Sequence, residues 1–106
     1  METYIPDPIP TNQIELSPSL LHLTEKLAKN AHENWAKQRF QDGWSYGLKR
    51  NDDTKEHPDL VAYENLKEDE KEYDRKTAME TIKLILSLGY SIVEPNEESF
   101  QNKDYR

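Results

Sequence analysis

A proline and a glycine frame the segment of this chain whose conformation is least free. Ser17 precedes Pro18, and Gly43 follows the last residue that the pattern keeps in register. Serine is a favoured N-cap, and proline suits the first helical position because its missing N–H would be unpaired there anyway. Glycine accepts the left-handed turn that closes a helix. The spacing therefore predicts a helix from Pro18 to about Gln41. On a 100° wheel Leu20, Leu23, Leu27 and Ala31 form one apolar stripe, with Lys26, Lys29, Glu33 and Lys37 on the opposite, solvent-facing side. Met1 to Leu16 has the contrary character, since Pro6, Pro8 and Pro10 hold it extended.

A second helix is predicted from about Lys67–Glu68 to Leu88, with Gly89 as its stop. Glu68, Asp69, Glu70 and Glu72 fall in its first turns, where the helix dipole favours negative charge. Its apolar stripe runs through Ala78, Met79, Ile82, Ile85 and Leu86. Between the helices, Gly43 to Gly47 is too rich in glycine for a helix and too aromatic for an idle loop. Leu48 to Pro58 reads as an exposed polar connection, and Leu60 to Tyr63 as a short apolar segment packed on the helices. Tyr90, Ile92 and Val93 alternate around Ser91, a pattern expected of a short strand pairing with the extended N-terminus. The expected fold class is mainly α with minor β: two long antiparallel helices flanked by short extended strands. Residues 1–93 form the expected single domain. Residues 94–106 form an acidic, loosely held tail with Phe100 and Tyr105 as its only anchors.

Composition narrows the function classes. At 106 residues and 34% hydrophobic, one modest core is all the chain can bury, so a partner surface or self-association is expected. The absence of cysteine excludes a disulfide framework and thiol chemistry, and fits a reducing, cytoplasmic setting. The longest apolar run, Ile82 to Leu88, is broken by Lys83 and Ser87 and is too short to cross a bilayer. Met1 to Pro10 has neither the basic nor the apolar region of a signal peptide. A net charge of −7 argues against nucleic acid or an anionic membrane as partner.

Chemical motifs are sparse. His32-Glu33-Asn34-Trp35-Ala36 begins like a zinc-protease helix but carries Ala36 where the second histidine belongs. His22 and His32 lie about 15 Å apart along a helix and cannot share a metal. His32 is instead expected to form a hydrogen bond on the helix flank. There is no glycine-rich phosphate loop, and no nucleophile–base pair stands out among the acidic residues. Neither catalysis nor a cofactor is expected.

The informative cluster lies between Lys26 and Arg50. That window holds six basic residues (Lys26, Lys29, Lys37, Arg39, Lys49, Arg50) against Glu33 and Asp42, a charge of +4 within a remainder of −11. Trp35 falls at the edge of the apolar stripe, with Arg39 one turn on and His32 one turn back, and Trp44 and Tyr46 follow the helix directly. An aromatic ring beside a guanidinium is what a flat anionic ligand needs: stacking for the ring and charge for the anion. The bland alternative makes Trp35 and Trp44 core aromatics on which Arg39 stacks internally. Extending the second helix's stripe backwards reaches Lys71 and Arg75. Charged residues there must pair, reach the rim or face a ligand, and pairing with a carboxylate of the first helix or the N-terminal segment is the favoured expectation. If the two stripes face each other, Arg39 and Arg75 fall near one cleft.

These residues, taken in order, resemble a known family. Pro6-Asp7-Pro8-Ile9-Pro10-Thr11 is followed by Leu27-Ala28-Lys29-Asn30-Ala31-His32-Glu33-Asn34-Trp35-Ala36 and then by Gly43-Trp44-Ser45-Tyr46-Gly47. His57-Pro58-Asp59-Leu60-Val61-Ala62-Tyr63 comes next, and Glu70-Lys71-Glu72-Tyr73-Asp74-Arg75 leads into Thr81 to Tyr90. The succession, over about residues 4 to 93, resembles the ryanodine-receptor repeat, or RyR domain. A single repeat is similar to the prokaryotic or phage members of that family. The resemblance implies antiparallel helices flanked by short strands, and a module without a channel, whose pore is a separate membrane region in the receptors. Receptor repeats occur as tandem pairs, an arrangement a lone repeat would reproduce as a homodimer.

The resemblance also implies an adenine-nucleotide site in which the helix tryptophan stacks on the base and an arginine contacts phosphate. These map to Trp35 and Arg39. A further basic residue of that site maps to Asp59, which removes a phosphate contact and adds repulsion. Standalone members are proposed to sense nucleotide-derived signals. The function expected is therefore a non-catalytic binding module for an adenine nucleotide or nucleotide-derived signal. Trp35, Arg39, His32, Trp44, Tyr46 and Lys37 would form its site, with Arg75 and Lys71 as further candidates. The alternative is a protein-interaction or self-association domain with no small ligand.

Overall fold

Both long helices form where the capping residues place them. The structure, a computed structural model, describes residues 3–95. Helix α1 spans Pro18–Gln41, and the Ser17 hydroxyl accepts the Leu20 N–H at 3.2 Å. Helix α2 spans Glu68–Ser87, with Glu68, Asp69 and Glu70 in its first turn. Both end in the same motif. Gly43 and Gly89 take positive φ (91° and 98°), and each donates its N–H to the carbonyl three residues back, Phe40 and Leu86 respectively. The next residue, Trp44 or Tyr90, donates to Arg39 or Ile85, so the last turn's orphan carbonyls are satisfied.

The helices run antiparallel: Glu25 of α1 pairs with Arg75 of α2, while Leu21, a turn earlier, shares a cavity with Met79 and Lys83. Between them the chain forms two two-residue strands, β1 (Ser45–Tyr46) and β2 (Glu56–His57), joined in parallel with Ser45 opposite Glu56 and Tyr46 opposite His57. A short 3-10 turn at Tyr63–Asn65 then leads to α2. The Leu60–Tyr63 segment packs as expected, with Leu60 and Tyr63 buried. Ala28, Tyr63 and Leu66 make the centre of the core, with Val61 against them.

Three expectations need correction. First, the buried line of α1 is Thr24, Ala28, His32 and Ala36, and both Leu27 and Ala31 of the expected stripe are exposed. Small residues let the Leu60–Leu66 segment and α2 approach the α1 backbone, so the packed face is the one with least bulk and not the one with most leucine. Second, no strand forms at Tyr90–Val93 among the described residues. Tyr90 and Val93 are exposed, and residues 3–10 are exposed, with no regular secondary structure and no partner strand. The N-terminal segment is tied instead by its Thr11 hydroxyl, which donates to Glu80 Oε1 at 2.7 Å. Third, Leu48 to Pro58 is not wholly exposed, since Glu56, His57 and Pro58 are half-buried through the β1–β2 pairing. Beyond Pro95, the expected acidic tail with Phe100 and Tyr105 lies outside the described residues.

Candidate functional site

The end of α1 builds the site. Arg39 lies in the last helical turn and is half-buried, and the helix-closing turn at Gly43 ties the Trp44 N–H to the Arg39 carbonyl at 2.9 Å. That bond brings the Trp44 ring beneath the guanidinium, with Arg39 Cζ 4.7 Å from the Trp44 ring centroid. Trp35, one turn earlier, places its ring centroid 5.5 Å from the same carbon. One cation thus lies against two indoles, an arrangement worth about 0.5–1 kcal/mol per contact where it is solvent-accessible. The guanidinium's N–H groups have no carboxylate partner among the described residues. Arg50 and Arg75, by contrast, are both ion-paired.

His32 stacks on Trp35 at 5.6 Å between ring centroids. It is buried, and its Nε2 donates to the Val61 carbonyl at 2.7 Å, the hydrogen-bonding role expected on the helix flank. That bond anchors the Leu60–Tyr63 segment to α1. His57, from β2, meets both indoles: edge-on to Trp35 at 5.1 Å and tilted to Trp44 at 6.2 Å. Its Nδ1 accepts the Asp59 N–H at 3.0 Å. Burial lowers the His57 pKa, Asp59 opposes that shift, and the positive charges of Arg50 and Arg39 reinforce it.

Two cavities open around this cluster. One, of about 300 Å³, is lined by Trp35 and His32 on one side and by Glu70, Tyr73 and Asp74 of α2 on the other. The second, of about 430 Å³, is lined by Tyr46, Arg50 and Lys67 among others. His57, Asp59, Leu66 and Glu70 line both, so the cavities adjoin. Burial raises the pKa values of Glu70 and Asp74, and the charge of Asp59 adds to both shifts. The charge pattern is therefore polar along the pair: acidic beside Trp35 and Tyr73, basic beside Tyr46.

Of the residues predicted from sequence, Trp35, Arg39, His32 and Trp44 come together, and Tyr46 lines the second cavity. Lys37 is exposed and lies about 200° around α1 from Trp35, on the far face of the helix. Lys71 pairs with Glu68 at 3.4 Å. Arg75 grips Glu25 through two nitrogens, at 2.6 and 3.2 Å, and Glu72 at 2.7 Å, so the expected pairing with the first helix is present. The shared cleft for Arg39 and Arg75 is not. Glu25 precedes Arg39 by 14 residues, about 21 Å of helix, and the two arginines serve opposite ends of α1. His57 escaped the sequence reading because its segment looked like an exposed loop. The signal for it was present in His57-Pro58-Asp59, where a histidine directly precedes a turn.

With this geometry in place, the comparison with known families is decisive. The family model described as the RyR domain matches residues 4–94. The chain belongs to the RyR domain family. The matched span takes in both helices, the β1–β2 pairing and every residue of the aromatic cluster. It is a ryanodine-receptor-like repeat module, and no helix among the described residues is long and apolar enough to cross a membrane.

Proposed function

We propose that this RyR domain is a non-catalytic module that binds a small ligand combining a flat ring with an anionic group, of the adenine-nucleotide class. The observation that carries the reading is Arg39, held against two indoles with no carboxylate within ion-pair distance among the described residues. In this reading Trp35 supplies the stacking surface, Arg39 the charge-assisted contact to phosphate, and Trp44 fixes the arginine's orientation. Tyr46 frames the basic side, where Arg50 and Lys67 add positive potential.

Asp59 works against the phosphate wherever it extends toward the shared wall of the two cavities. Asp59→Asn should therefore tighten nucleotide binding, by a factor between about three and ten, on the order of 1 kcal/mol for one like charge removed near the surface. Calorimetric titration of both proteins with ADP checks this, and an unchanged affinity would place the phosphate elsewhere. The proposal itself is tested by titrating intrinsic tryptophan fluorescence with ATP, ADP, ADP-ribose and cyclic nucleotides. Saturable quenching that Arg39→Ala removes supports it, and a flat response up to millimolar nucleotide overturns it.

A second reading, self-association, has its own observation. Phe40, Tyr46 and Leu48 near this end of the molecule are exposed, Leu48 at 86%. A symmetric pairing through that edge would cover them.

A further inference from the structure

A helix packed on one side ordinarily turns charge outward on the other, and α2 departs from that over its middle and last turns. Ile82 is its buried residue, at 2% exposure. At 100° per residue, Tyr73, Thr77, Thr81, Leu84 and Leu88 fall within about 80° of one another on the side away from Ile82. Tyr73 and Leu88 are exposed, at 73% and 58%. The two threonines between them turn their hydroxyls into the helix, Thr77 donating to the Tyr73 carbonyl at 3.0 Å and Thr81 to the Thr77 carbonyl at 2.9 Å. Neither hydroxyl therefore needs water as its acceptor. The result is a trough of about 490 Å³ lined by Tyr73, Lys76, Thr77, Glu80, Thr81 and Leu84, with small side chains between larger apolar ones.

The charges on and beside the trough say what fits it. Residues 68–75 carry five carboxylates against Lys71 and Arg75, while 76–87 carry Lys76 and Lys83 against Glu80 alone. A second α2 laid antiparallel sets each acidic half beside a basic one, and a parallel copy sets like against like. Lys76 and Glu80, one turn apart on this face, repeat the pattern locally. Across a two-fold axis at the level of Ala78 and Met79, each Lys76 meets the Glu80 of the other copy. Lys76 forms no ion pair among the described residues, and the nearest cation to Glu80 is Lys83, at 4.0 Å. In the same register Tyr73 lies over Leu84 of the other copy and points on toward its Leu88, because helical side chains lean toward their own N-terminus. Thr77 and Thr81 then stand at the crossing point, where small residues let two helix axes approach to about 8 Å.

The N-terminal segment supplies further area. The face from Tyr73 to Leu88 is about 23 Å long and 10 Å wide, short of the about 800 Å² that each partner of a stable dimer buries. Thr11, which donates to Glu80 Oε1 at 2.7 Å, sets residues 3–10 off from beside the trough. Eight residues reach up to about 26 Å, and Tyr4, Ile5 and Ile9 are all exposed on that segment.

We propose that this outward face of α2 is the docking surface for a second copy of the chain, whose own α2 lies on it antiparallel with the N-terminal segments closing over the pair. The proposal does not depend on the nucleotide reading. It uses none of Phe40, Tyr46 and Leu48, so variants at the two surfaces tell the two modes of self-association apart.

Sedimentation equilibrium of the full chain up to about 100 µM reads the association. A dimer at twice 12.5 kDa that Thr77→Arg weakens about tenfold or more, and that Leu48→Glu leaves unchanged, supports the proposal. The charge pair gives a sharper reading. Lys76→Glu alone should weaken the dimer, and Lys76→Glu/Glu80→Lys should restore it, because the exchange keeps opposite signs across the axis. All three positions are exposed, and circular dichroism confirms that each variant folds. A monomer at about 100 µM, or a dimer indifferent to Thr77→Arg and Lys76→Glu, overturns the proposal. A dimer that Leu48→Glu alone dissociates also overturns it, and assigns the contact to the Phe40–Tyr46–Leu48 edge.

Discussion

Arg39 owes its surroundings to a glycine four residues away. Gly43 adopts positive φ, the turn closes, and Trp44 is delivered to the guanidinium through its own backbone bond. A second glycine acts by its size. A Cβ on Gly47 would stand 2.6 Å from the Glu56 Cβ, so β1 and β2 can approach only because residue 47 lacks one. Gly47→Ala should part the strands and shift His57, costing about 1–3 kcal/mol by overpacking. Thermal unfolding checks the loss, and an unchanged Tm would show that the pairing does not matter to the fold. At this scale, Trp35, Arg39 and His32 were legible from sequence because helical spacing alone sets them on one flank, and Trp44 because it directly follows the helix stop. His57 was not, because it reaches the indoles only through a two-residue parallel pairing across a nine-residue connection, for which no periodicity exists.

The limits of α1 and α2 were readable to within a residue, since caps and stops are local chemistry. The face of α1 was not. Leucine count marks a stripe, but packing chose the Thr24–Ala28–His32–Ala36 line, where small side chains and one hydrogen-bonded histidine admit the neighbouring segments. The contact between the helices is partly ionic: Arg75 reaches Glu25 across the groove, and that hydrogen bond lowers the Glu25 pKa while Glu25 and Glu72 raise that of Arg75. A lowered carboxyl stabilises the fold above its unfolded value and loses that contribution as the pH falls through its folded value. Glu25→Gln should therefore lower Tm by a few degrees at pH 7, with the deficit closing in acid below the ordinary glutamate range. Glu70 and Asp74 carry the opposite sign. Their raised pKa values mean the ionised forms burden the fold at pH 7 and the burden lifts on protonation. Asp74→Asn should thus raise Tm at neutral pH, with the gain shrinking once the pH falls below the raised folded value and gone below the ordinary aspartate range. Melting curves of the three proteins from pH 7 to 3 test both signs. A Glu25→Gln deficit that persists in acid, or an Asp74→Asn loss at pH 7, would contradict the account.

Taken whole, the molecule has little interior. No large side chain among the described residues is fully buried, and the radius of gyration is 17.4 Å against about 13 Å for a compact chain of this length. The thin core was legible from composition, and the flattened, open shape (52 × 45 × 23 Å) was not. A molecule with so much open surface has room for a second copy. The self-association reading expects sedimentation at twice 12.5 kDa at about 100 µM, with dissociation in Leu48→Glu, whereas a monomer at that concentration removes it. The central claim is that the Trp35–Arg39–Trp44 end of α1 binds a ligand, and it is most directly tested on the indole N–H signals of the two tryptophans. In a protein with indole-labelled tryptophan, ADP should move both signals saturably, and Arg39→Ala, still folded, should leave them in place. Signals unmoved by millimolar ADP in the unaltered protein, or moved equally in Arg39→Ala, would contradict it.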